Sequence, residues 1–175
     1  FLQSSASLDF SRKSFFKKVQ NWENKIPNRF ANPQILLQGA ISTRNSMIDI
    51  VDSITLLADH IKIKFIGPIS NYDLEQIKTI AHQKNINSRV TYFKPVPYNQ
   101  LAPHTWEASI GLCLYKNVCL NHQFHATATN KVYEYAACAL PIIVSDFPSY
   151  REFLGNESWV RFANPDDPQS IADAI

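Results

Sequence analysis

The run Asn130-Lys131-Val132-Tyr133-Glu134-Tyr135 concentrates the side chains best able to do chemistry. Asn130 suits a helix cap, which sets Lys131 in the first turn and Glu134 three residues on, on the same side. A helix N-terminus offers free backbone N–H groups and a partial positive charge, and Lys131 adds a full one, so together they suit a diphosphate. Glu134 beside them can accept two hydrogen bonds from a ribose diol. On spacing alone the plainer reading is an exposed i, i+3 ion pair contributing a few tenths of a kcal/mol. A second group, Cys119, His122 and His125, recurs at three-residue intervals in the loop 117–129. Such spacing can offer three zinc ligands on one face, but no fourth ligand is evident, and a polar loop with incidental histidines is the preferred reading.

What the chain lacks narrows the chemistry. Its four glycines, Gly39, Gly67, Gly111 and Gly155, stand too far apart for a G-x-G-x-x-G turn or a P-loop. Any phosphate must then be held by side-chain charge and a helix end. Seventeen basic against fifteen acidic residues give a net charge of +2, too small for the broad positive field of a nucleic-acid binder. Three cysteines, none in a C-x-x-C pair, fit neither a disulfide scaffold nor a zinc finger and point to a reducing compartment. Cys113 and Cys138 sit in apolar patterns and read as small core residues. No apolar run approaches the length of a membrane span.

The elements that must position these residues alternate in kind. Short apolar strands are expected at Ile35–Gln38, Lys62–Ile66, Val90–Phe93, Ser109–Tyr115, Pro141–Ser145 and Trp159–Phe162. Helical spacing lies between several of them: Ile48, Val51, Ile54 and Leu57 after Ser42–Asn45; Leu74, Ile77, Ile80 and Ala81 after Asn71; Val132, Tyr135, Ala136 and Cys138 after Asn130. A last helix begins at Asp167 and Pro168 and carries Ile171, Ala172 and Ile175. The pattern predicts an α/β fold, a doubly wound parallel sheet of about six strands, whose ligands bind at the carboxyl ends of the strands. Upstream, Phe15, Phe16, Val19, Trp22 and Ile26 form one helical stripe, with Arg12, Lys13, Lys17 and Lys18 on other faces. A helix covering its own protein is the first reading, and peripheral attachment to a membrane surface is the second. Pro27, Asn28, Asn32 and Pro33 read as a linker. The missing initial methionine and the helical ending lead to the expectation of a piece of a longer protein.

The stretch from Lys131 to Asp146 resembles the donor-binding segment of retaining GT-B glycosyltransferases: lysine, two residues, glutamate, tyrosine, small residues, a proline, an apolar strand and Ser-Asp. Ile26-Pro27-Asn28, Ile35-Leu36-Leu37-Gln38-Gly39, Phe65-Ile66-Gly67-Pro68, Val96-Pro97-Tyr98-Asn99-Gln100-Leu101 and Ala108-Ser109-Ile110-Gly111-Leu112 resemble other segments of that family, in the same order. The resemblance implies that residues 34–175 form the nucleotide-sugar-binding, Rossmann-like domain, with 1–33 as the end of an acceptor domain and its linker.

It also implies roles. Glu134 would hold the donor ribose, and Lys131 with the helix end at Asn130 the diphosphate. Gly39 would admit the phosphates to the first loop, Arg44 would add a second positive charge, and the loop Val96–Tyr98, centred on Pro97, would present backbone groups to the base. His125 would stand beside the donor sugar. The implied reaction is transfer of a sugar from a nucleotide donor to a glycan or lipid-linked acceptor with retention, at a cytoplasmic site or the cytoplasmic membrane face. No metal or other cofactor is implied, and no nucleic acid. Ala40, Ala126 and Ala139 depart from the family pattern, which has an arginine, a glutamate and a glycine there in many members. A sugar-nucleotide epimerase and a non-catalytic interaction module are the alternatives.

Overall fold

The computed structural model describes residues 26–124 and 129–175. The aromatic stripe at 15–22, His125 and Ala126 lie outside these residues. The strands are β1 (Gln34–Gln38), β2 (Lys62–Ile66), β3 (Val90–Phe93), β4 (Ile110–Cys113), β5 (Ile142–Ser145) and β6 (Val160–Ala163). They form one parallel sheet in the order β3-β2-β1-β4-β5-β6. The helices are α1 (Ile26–Ala31), α2 (Met47–Ser53), α3 (Asn71–Gln83), α4 (Tyr98–Glu107), α5 (Leu120–Gln123), α6 (Asn130–Ala137), α7 (Pro148–Leu154) and α8 (Pro168–Ala174).

Alternation along β1 sorts the two faces. Ile35 and Leu37 pack with Ile63, Phe65, Ile50 and Val51 of α2, Ile77 of α3 and Ile171 of α8. Leu36 lies in the opposite core with Val132 and Tyr135 of α6, Tyr150 and Leu154 of α7, and Val144. Burial on both sides explains why the inner strands β1, β4 and β5 read as apolar runs.

Three expectations need correction. The residues read as a linker contain α1, because Pro27 falls in a first turn that needs no N–H from it and Pro33 halts the helix. Arg29 of α1 is buried and donates from Nε to the Trp106 carbonyl at 2.7 Å, from Nη1 to Ala139 at 3.1 Å and from Nη2 to Cys138 at 2.9 Å. It therefore ties the carboxyl ends of α4 and α6 together, where the helix dipoles favour a cation. The expected strand Ser109–Tyr115 is trimmed to β4 because side chains take over its ends. Ser109 Oγ accepts from the Gln34 N–H, and Ser145 Oγ accepts from the Tyr115 N–H at 2.7 Å and donates to the Tyr115 carbonyl at 2.9 Å. Asn130 is not the cap but the first helical residue. Thr129 holds the cap position in extended conformation without a side-chain capping bond, and its hydroxyl pairs with Tyr115 Oη at 3.2 Å instead.

The strand order reverses between β1 and β4, and the two pair only at Ile35–Ile110 and Leu36–Gly111. Beyond that point Tyr135 fills the gap. Its hydroxyl accepts from the Gln38 N–H at 3.2 Å and lies 3.4 Å from the carbonyls of both Leu36 and Leu112. Gly111 makes room for the ring, since a Cβ there would sit 2.7 Å from Tyr135 Cδ2.

Candidate functional site

Crevices outside the carboxyl ends of strands, where the strand order reverses, are where such sheets bind ligands. Here that edge is built from the β1–α2 turn, the loop after β4 and the start of α6. Gly39 ends β1 with φ +87, and its N–H donates to the Ile66 carbonyl at 2.9 Å. The Lys131 side chain crosses directly over it: a Cβ on Gly39 would lie 3.0 Å from Lys131 Cε. A bare backbone is thus needed at that point both for the left-handed turn and for the lysine stem.

Lys131 Nζ lies 5.0 Å from the centre of the Tyr115 ring. Enclosure holds its ammonium below the ordinary lysine value, with the fields of Cys113 and Glu134 opposing that shift only in part. The support beneath it is continuous. Ser145 fixes the Tyr115 backbone, Tyr115 underlies Lys131, and Tyr115 also pairs with Thr129 at the opening of α6. The Thr129 side chain makes no capping bond, so among the described residues the first N–H groups of α6 are left to an incoming acceptor oxygen.

Glu134 lies one turn on, half-buried. Its Oε2 accepts from Gln38 Nε2 at 2.6 Å, and Gln38 Oε1 accepts from Thr105 Oγ1 of α4 at 2.9 Å. Tyr98 stands at the start of α4, near this carboxylate. Its phenol is held above the usual tyrosine value by burial first and by Glu134 second. The expected ion pair between Lys131 and Glu134 is absent from the ion pairs of the described residues. Each charged group instead has its own support, Lys131 over the Tyr115 ring and Glu134 on Gln38.

The structure thus gathers Gly39, Lys131, Glu134 and the first turn at Asn130. Pro97 is exposed at the cap of α4, where its carbonyl accepts from the Gln100 N–H, and it reaches the site only through its neighbour Tyr98. Arg44 lies in the turn after β1 with an exposed side chain; its carbonyl accepts from the Lys116 N–H at 2.9 Å. Its guanidinium makes no hydrogen bond or ion pair among the described residues. The structure therefore brings Arg44 near the loop after β4 without joining it to Lys131. Cys119 is exposed, whereas His122 is buried with Nδ1 2.8 Å from the Lys116 carbonyl. Among the described residues no three His, Cys, Asp or Glu side chains converge as metal ligands.

Sequence reading missed Gln38, Thr105 and the link from Ser145 to Tyr115. One signal was available: Gln38 is a polar residue closing an apolar strand just before a glycine, and such a residue is rarely buried without a specific partner.

Comparison with known proteins bears on this edge. The family model described as Glycosyl transferases group 1 matches residues 32–175. A search among curated proteins finds no match. Among solved structures, the C-terminal domain of a glycosyl transferase group 1 family protein (LpcC) from Francisella tularensis superposes with TM-score 0.65 at 15% identity, over 88% of this chain and 77% of that one. Alr3699/HepE from Anabaena, solved in complex with UDP and glucose, gives 0.65 at 12% identity over 86% of this chain and 41% of that one. WaaG, a glycosyltransferase involved in lipopolysaccharide biosynthesis, gives 0.65 at 13% over 88% and 40%. At such identities the likeness is one of fold. The chain spans about two fifths of the length of HepE and of WaaG.

Proposed function

This chain belongs to the glycosyl transferases group 1 family, and from that premise we propose that it binds the nucleotide-diphosphate sugar donor of a glycosyltransferase. The observation that carries the reading is the convergence of Lys131, Gly39 and Glu134 on the crevice between β1 and β4. Lys131 and the open N–H groups of α6 hold the diphosphate, and Glu134 accepts from the ribose hydroxyls. Pro97 and Tyr98 border the base, Arg44 supplies a further positive charge at the rim, and His125 is assigned to the donor sugar from its place in the sequence.

In transfer, the bond between the anomeric carbon and the diphosphate oxygen breaks while an acceptor hydroxyl oxygen bonds to that carbon and gives up its proton. The departing nucleoside diphosphate gains negative charge. Lys131 and the α6 dipole stabilise that charge in an enclosed setting, where they act more strongly than in water. This assignment uses no metal ion. We read the transfer as retaining and its acceptor as a glycan or lipid-linked saccharide held by a preceding domain, of which residues 1–33 would be the end and linker. A cytoplasmic setting, free in solution or at the membrane face, fits three unpaired cysteines. No helix among the described residues is long and apolar enough to cross a membrane.

Calorimetric titration of the 175-residue chain with uridine, guanosine and adenosine diphosphates tests the reading. Uridine diphosphate is the first to try, because HepE was solved with it. Binding of at least one is expected, with Glu134→Ala weakening it by about 1–3 kcal/mol through loss of charged hydrogen bonds. No binding by any of the three at millimolar concentration would overturn the assignment.

A further inference from the structure

Resting on the nucleotide reading, we propose that Gln38 is the positioning residue that aims the Glu134 carboxylate at a ribose diol and so sets discrimination between ribo- and deoxyribonucleotide donors. Gln38 is 1% exposed at the last position of β1. Its amide is fixed at both ends: Oε1 accepts from Thr105 Oγ1 at 2.9 Å, which leaves Nε2 to donate to Glu134 Oε2 at 2.6 Å. Its own N–H is anchored on Tyr135 Oη at 3.2 Å, on the residue next to Glu134.

Packing does not require this arrangement. An apolar side chain would fill the same buried position without the penalty of desolvating an amide, and that penalty is offset only when both ends of the amide are bonded. A half-exposed glutamate otherwise samples several rotamers, and ordering it when ligand arrives weakens binding. Gln38 removes that freedom in advance. It occupies one carboxylate oxygen from the buried side. A carboxylate oxygen has more than one acceptor site, so the group retains capacity for the two hydroxyls of a diol.

The experiment measures the affinity ratio of uridine diphosphate to 2′-deoxyuridine diphosphate by calorimetry, with the guanosine and adenosine pairs alongside. The wild-type chain is expected to favour the ribonucleotide about tenfold or more, the worth of a hydrogen bond to a charged group. Gln38→Met, close in length and apolar, should bring the ratio toward one. A merely structural role would weaken both nucleotides alike and leave the ratio intact, which would overturn the proposal. Gln38→Glu gives a second readout should the methionine variant fail to fold. Two carboxyls this close share a proton at lower pH, when the protonated one can donate to Glu134, and repel once both ionise. Its ratio should fall from pH 6 to pH 8.5 relative to wild type; a ratio that follows wild type throughout overturns the proposal. A wild-type chain that binds no nucleotide would instead remove the nucleotide reading and this inference with it.

Discussion

Replacing Arg29 by alanine should destabilise the domain far more than its place in an apparent linker suggests. The guanidinium donates to three carbonyls on two other helices; the bond to Cys138 is buried, and those to Trp106 and Ala139 are partly buried. A buried carbonyl that loses a charged donor costs about 1.5–3 kcal/mol, and each partly wet one about 0.5–1 kcal/mol, so roughly 3–5 kcal/mol is expected in all. Against a total stability of about 5–15 kcal/mol, the loss is a large fraction. It corresponds to a melting temperature lower by roughly 10 °C for a chain of this size. Urea unfolding followed by circular dichroism measures it directly, with a lower midpoint and an unchanged slope. Arg29→Lys should recover only part of the loss, because an ammonium is a compact charge that does not span three acceptors as a planar fork does. A midpoint shift equivalent to less than about 1 kcal/mol for the alanine variant would refute the reasoning, since water would then be replacing the guanidinium at every carbonyl.

Three further outcomes are expected. The free Lys131 ammonium has its proton affinity lowered by burial, whereas a bound diphosphate raises it. Binding should therefore take up protons increasingly as pH rises above neutrality toward the ordinary lysine value, and affinity should fall in step. Calorimetry in buffers of different ionisation heat detects the uptake; Lys131→Met should abolish it, and rising salt should weaken wild-type binding. Gly39→Ala places a Cβ 3.0 Å from the Lys131 stem at φ +87. It should lower stability by about 1 kcal/mol or more and weaken nucleotide binding, measured by thermal unfolding and titration. Ala139→Gly should raise stability by about 0.5–1 kcal/mol in the same unfolding assay, since α6 ends in a left-handed turn with Ala139 at φ 44. The bonds Leu140 N–H to Tyr135 and Ala139 N–H to Ala136 complete that turn, and a lower melting temperature would contradict this account.

The inner strands were legible because burial on both faces makes them short apolar runs, as in Ile142–Ser145; the edge strand Val90–Phe93, half exposed, matches to the residue through its β-branched and aromatic side chains instead. α4 was not legible. Pro103 interrupts its pattern and its exposed first residues resemble a loop, yet Thr105 and Leu101 face the sheet and hold the helix there. Lys131 and Glu134 could be found because the two lie within one turn of one helix, where sequence spacing is spatial spacing. Their supports could not. Gln38 lies 96 positions from Glu134, Ser145 lies 30 from Tyr115, and Arg29 more than 100 from the carbonyls of Cys138 and Ala139. Contacts of that separation are set by tertiary packing, and a single chain carries no local sign of them. The cap of α6 was misread by one residue, Asn130 for Thr129, because two polar residues in succession offer two plausible starts, whereas Asp167, directly before a proline, caps α8 as expected.

Tyr135 gives the crevice an unusual kind of rigidity. Its hydroxyl is bolted to both halves of the sheet where they part, and the next residue toward the N-terminus is Glu134. Any pull that a ligand exerts on that carboxylate is delivered, one peptide bond away, to the seam between the half-sheets rather than dissipated in a loop. The ring also acts as a spacer, since β1 and β4 cannot zip further together while it stands between them. The width of the crevice is therefore a property of the core, and loops around it are free to diverge in sequence without closing it.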